Sequence, residues 1–113
     1  QYGVPAYDEL ILVANKNSVT DKKTSAFLTA LEQATSYLQA HPNEAWQAFV
    51  SYKPNELNTP LNQLEWKDTL PFLANKPRQL DAKRYQQMAE FMQQKGLIPK
   101  SLALKEYANK EKR

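Results

Sequence analysis

The residues with most capacity for chemistry stand near the front of the chain. Tyr2-Gly3-Val4-Pro5-Ala6-Tyr7-Asp8-Glu9 packs a glycine, a proline, two phenols and two carboxylates into one short stretch. Phenol rings stack and carboxylates accept paired N–H donors, so such a turn suits the rim of a ligand cleft. Taken on the residues alone, an ordinary loop bent by Gly3 and Pro5 and leading into a strand fits slightly better. Elsewhere reactive groups are sparse. His41 is the one histidine, cysteine is absent and there are two glycines, so no thiolate zinc site, cysteine nucleophile or glycine-rich phosphate loop can be built here. His41 precedes Pro42 with no acid or nucleophile spaced to work with it, which favours a capping or surface role over catalysis. Glu65, Lys67 and Asp68 read as a solvated helix surface, since no carboxylate pair is isolated in apolar surroundings. The residues thus predict no catalytic group, no metal site and no cofactor within this segment.

The elements that would position the front stretch follow directly. Leu10-Ile11-Leu12-Val13-Ala14 is a continuous apolar run between Pro5 and Asn15-Lys16-Asn17-Ser18, which predicts one buried β-strand over about 9–14. A strand apolar on both faces needs sheet neighbours, yet no second strand is legible, so its partners are expected from missing chain or from another copy. Behind it the period changes to three and four. Phe27, Leu28, Leu31, Ala34 and Leu38 predict a helix over about 20–41 with Thr20 as N-cap. Pro42 opens a second helix over about 42–53, carrying Trp46, Phe49 and Val50. Asn55 to Pro60 reads as a loop, and a third helix runs over about 59–74 with Pro71 as a kink or stop. Asp81 caps a fourth over 81–95, with Tyr85, Met88, Phe91 and Met92 as its apolar stripe and Gly96 as its left-handed end. Trp46, Tyr52, Trp66, Tyr85 and Phe91 are read as core, and residues 97–113 as a docked tail. The fold class is mostly α, one N-terminal buried strand followed by about four helices, with no internal repeat.

Bulk numbers narrow the classes further. The 113 residues, 42% hydrophobic, suffice for one modest core, so 1–113 is read as a single structural unit. Beginning at Gln1 and running at once into an apolar segment, the chain is expected to be a fragment. No apolar run reaches the roughly 18 residues that a bilayer crossing needs. The net charge of +3 comes from scattered basic residues among twelve acids, and the cluster Lys110-Glu111-Lys112-Arg113 reads as a solvated terminus, so nucleic acid is not an expected partner.

The order of motifs, Tyr2-Gly3-Val4-Pro5-Ala6-Tyr7-Asp8-Glu9-Leu10 before the apolar run, then Asn15, a long helix and His41-Pro42-Asn43-Glu44-Ala45-Trp46, resembles the NMT1/THI5-like family. The later run Phe49 to Asn58 is similar to its thiamine-pyrimidine branch. The resemblance implies a fragment of an α/β periplasmic-binding-protein-like type II fold, the C-terminal portion of a two-lobed solute-binding protein. It implies a substrate-binding component of an ABC transporter, periplasmic or membrane-anchored and extracytoplasmic. Its ligand would be a hydroxymethylpyrimidine-type aminopyrimidine precursor of thiamine, and its protein partner the transporter permease. The alternative is the family's pyrimidine-phosphate synthase, whose cysteine-rich motif falls on Val4, Pro5, Ala6, Tyr7 and Asp8, where only the aromatic is kept. A receptor for another solute, of sulfonate or nitrate type, is a further alternative. For an aminopyrimidine, Tyr7 would stack and Asp8 or Glu9 would grip the amino group and the adjacent ring nitrogen. The isolated piece is expected to self-associate through its strand.

Overall fold

In the computed structural model, residues 3–108 are described; the expected solvated cluster at 110–113 lies outside them. They form two compact units, residues 25–78 and the paired segments 3–24 and 79–108. Among the described residues there are five α-helices, α1 (Lys22–Ala40), α2 (Pro42–Tyr52), α3 (Pro54–Leu57), α4 (Pro60–Thr69) and α5 (Ala82–Gln94), with single 3-10 turns at Leu70–Phe72 and Leu104–Glu106. No described helix is long and apolar enough to cross a membrane.

The expected buried strand over 9–14 is not formed, and the described residues contain no strand at all. The mostly α part of the expected fold class stands; the strand and the α/β type II lobe built on it do not. The reason is the backbone. A strand exists only where a neighbouring chain accepts and donates its hydrogen bonds, and among the described residues no backbone–backbone hydrogen bond involves residues 3–14. The run instead follows a bend at Glu9 and Leu10 and lies open, with Leu10 94%, Ile11 57%, Leu12 57% and Val13 86% exposed.

Proline punctuates the 25–78 unit. Pro42, Pro54 and Pro60 each stand in the first turn of a helix, where the missing N–H would be unsatisfied in any case. The predicted loop at 55–60 therefore contains α3, one turn closed by the Asn58 N–H donating to the Pro54 carbonyl. Thr59 caps α4, its hydroxyl accepting from the Asn62 N–H at 3.1 Å. Pro71 sits inside the 3-10 turn that ends this stretch, so the helix expected over 59–74 is cut at Thr69. Inside the unit, the Trp66 ring lies 5.3 Å from Phe49 and 5.5 Å from Trp46, and Ala45 and Val50 of α2 are buried. Tyr52, expected in the core, is 82% exposed. Arg78 returns to α1, bonding the Thr29 hydroxyl at 2.7 Å and pairing with Glu32 at 3.4 Å.

His41 stands at the α1–α2 junction without a side-chain cap bond. Its ring lies 4.7 Å from that of Tyr37 and its Nδ1 3.8 Å from Glu44. The Tyr37 hydroxyl donates to the same carboxylate at 2.8 Å, and this bond to an acceptor raises its pKa above the usual tyrosine value. The first turn of α1 is served by Asp21, one residue beyond the expected cap Thr20, whose carboxylate accepts from the Lys23 N–H.

In the other unit α5 is the organising element. Asp81 accepts from the N–H groups of Lys83 and Arg84, as its place before the apolar stripe predicts. Gly96 ends the helix at φ +70°. The Leu97 N–H reaches the Met92 carbonyl at 2.8 Å and the Gly96 N–H reaches Gln93 at 3.0 Å, the paired bonds of a Schellman turn. The segment beyond turns back, held by the Ser101 N–H donating to the Gln93 side chain at 3.1 Å.

Candidate functional site

The inner face of α5 presents Tyr85, Met88, Ala89 and Met92, spaced three and four apart, and of these only the small Ala89 is buried. The stripe is wider than the chain covers. Residues from 7–11 and from Ile98 to Tyr107 complete the lining of a half-open groove of about 660 Å³. That lies within the range of roughly 300 to 1,000 Å³ found for small-molecule sites. Its walls are mainly aliphatic and thioether groups, and its polar function comes from Tyr7, Asp8, Arg84, Tyr85, Lys100 and Tyr107.

Two of these residues are joined to α5 by one guanidinium. The Arg84 Nη2 donates to the Tyr7 carbonyl at 2.9 Å and lies 3.3 Å from an Asp8 carboxylate oxygen. Arg84 occupies the third helical position of α5, whose backbone N–H the Asp81 cap has already fixed. The next residue, Tyr85, faces the groove with its ring centroid 6.4 Å from that of Tyr107. Burial, then the Asp8 carboxylate and Tyr107, push the Tyr85 hydroxyl above the ordinary value of 10.0, with Arg84 pulling it back. At neutral pH Tyr85 is therefore an intact phenol, able to donate a hydrogen bond and to stack.

Of the residues expected at a binding site, Tyr7 and Asp8 line the groove, while Glu9 is exposed and does not. Arg84 and Tyr107 were not anticipated, and Tyr85 was expected only as packing. The signal for Tyr85 was present in its place at the start of an apolar stripe; nothing in the sequence joins Arg84 to positions 77 residues earlier. Among the described residues no group of three or more His, Asp or Glu side chains is placed to hold a metal ion. The 25–78 unit has its own smaller hollow of about 330 Å³ beside Phe49 and Trp66.

Comparison with known proteins gives the class. Residues 1–45 match the family model described as NMT1/THI5 like. Over 108 residues the chain is 98% identical to a Haemophilus influenzae protein called "Putative thiamine biosynthesis protein", a match covering 96% of this chain and 34% of that protein. Over 64 residues it is 31% identical to the 4-amino-5-hydroxymethyl-2-methylpyrimidine phosphate synthase of Candida albicans, covering 55% of this chain and 19% of the synthase. No solved structure matches. The resemblance to the NMT1/THI5-like family first read from the order of motifs is thus shown. The chain spans about a third of the length of the Haemophilus influenzae relative.

Proposed function

We propose that the protein to which this chain belongs binds an aminopyrimidine precursor of thiamine, and that it serves as the solute-binding component of an ABC transporter for that precursor. The interior strand that would have marked a receptor lobe is not formed and lends this reading nothing. What carries it is the groove over α5, which Tyr7, Tyr85 and Tyr107 line together with Asp8. A flat, amino-bearing heterocycle asks for such a set, aromatic faces for stacking and a carboxylate that accepts from the amino group and an adjacent protonated nitrogen. In this reading Asp8 rather than Glu9 faces the ligand, and Tyr7 stacks. The names of the two relatives supply the ligand class, thiamine biosynthesis in one and an aminopyrimidine phosphate in the other.

The Candida albicans relative favours a second reading, a synthase that makes the phosphorylated pyrimidine. Against it stands the composition: with no cysteine in the chain, the thiol-bearing motif of the synthase branch has no counterpart at Val4 to Asp8. A receptor further implies an extracytoplasmic location and a permease as partner. Calorimetric titration of the intact protein with hydroxymethyl aminopyrimidine tests the proposal. Saturable binding without turnover is expected, and Tyr7→Ala and Asp8→Asn should each weaken it by about tenfold. Release of pyrimidine phosphate on incubation would favour the synthase, and no measurable binding would end both readings.

A further inference from the structure

We infer that Arg84 is the positioning residue of the groove, a tether that fixes Tyr7 and Asp8 over α5. The inference rests on the binding role proposed for Tyr7 and Asp8. Its basis is how little else holds these two residues. With no backbone–backbone hydrogen bond at residues 3–14 among the described residues, the segment lacks the ladder that would set its course. Among the described residues its polar attachment to α5 is the Arg84 guanidinium, on a carbonyl at Tyr7 and on a carboxylate at Asp8, both from the same terminal nitrogen.

Three further observations make Arg84 suited to the task. It springs from the capped first turn of α5, so its root is fixed by the Asp81 bonds to the Lys83 and Arg84 N–H groups. Its Nε is shielded from solvent and bonds to no acceptor, so the guanidinium is aimed by Tyr7 and Asp8 rather than by a rival contact. Finally, Arg84 and Tyr85 are neighbours in sequence, so the guanidinium that holds Tyr7 and Asp8 is registered to the Tyr85 ring that lines the groove from α5. A carbonyl and a carboxylate on consecutive residues suit the planar, multiple-donor guanidinium, whereas an ammonium offers a point charge on a flexible stem.

The test uses the intact protein labelled with fluorotyrosine, the Tyr7 resonance being assigned from its loss in Tyr7→Phe. Arg84→Gln should move the Tyr7 fluorine resonance towards its position in unfolded protein and sharpen it, with the thermal midpoint nearly unchanged. Arg84→Lys should restore it only in part. The same Arg84→Gln change should weaken hydroxymethyl aminopyrimidine binding by about tenfold. Adding Asp8→Asn should cost little more, because the two residues act as one unit. A Tyr7 resonance unaffected by Arg84→Gln overturns the tether, and so does full ligand affinity in that variant or an additive double variant. If the unmutated protein fails to bind the pyrimidine, the proposed function falls by itself, while the resonance still decides whether Arg84 holds the segment.

Discussion

Tyr85 sits where three influences meet, partial burial, a carboxylate and a second phenol, and all of them disfavour its ionised form. The consequence for stability has a definite sign. A folded-state pKa raised above the unfolded value means that the neutral phenol contributes fully below about pH 10, and that this contribution is lost as pH climbs through the higher folded value. Tyr85→Phe should therefore flatten the alkaline decline in stability, leaving stability at neutral pH little changed. Denaturant midpoints for parent and variant at neutral pH and above pH 10 measure it, and an equally steep decline in both would refute the assignment. Tyr37 also titrates late, held by Glu44, but it does so in parent and variant alike. This residue-scale picture was only half legible in the sequence. Tyr7 and Asp8 announce themselves by type and by company, whereas Arg84 and Tyr107 acquire meaning only when the chain returns to them, and a local pattern carries no record of which distant segments will meet.

At the level of elements, α5 shows why helices were the most readable part. Asp81 before the stripe and Gly96 after it are chemical statements about backbone groups, independent of the rest of the chain. Their contributions can be measured separately. Asp81→Ala removes the acceptor for two N–H groups and should cost about 1 kcal/mol. Gly96→Ala should cost a further ~1 kcal/mol. A Cβ at Gly96 would meet nothing within 4 Å, so that second cost is purely conformational, and Gly96→Asn should recover part of it. Chemical denaturation reads both effects; a neutral Gly96→Ala would show that the positive φ is not required. The misplaced elements failed for the opposite reason. A strand is a relation between two chains, and the greasy composition of 10–14 cannot declare whether a partner is present. The single turn of α3 is too short for any periodicity to register.

For the whole chain, the described core is thin: only Ala45, Val50 and Ala89 are buried hydrophobics. Against this, four consecutive large apolar side chains from Leu10 to Val13 lie in the open, a patch larger than isolated surface leucines produce. We propose that the piece by itself associates through this segment. Sedimentation velocity of the 113-residue chain should show mass increasing with concentration, and Leu10→Lys combined with Val13→Lys should shift it towards monomer. A monomer at every concentration would dispose of the idea.

The aromatic trio of Trp46, Phe49 and Trp66 has a practical corollary. The chain's two tryptophans are these two, both lie within the 25–78 unit, and their rings are 5.5 Å apart. Indole emission is consequently a private reporter of that unit's melting, blind to direct loss of order around Gly96. Recorded beside a helix-sensitive dichroism curve, it divides one denaturation experiment into two separately addressed signals.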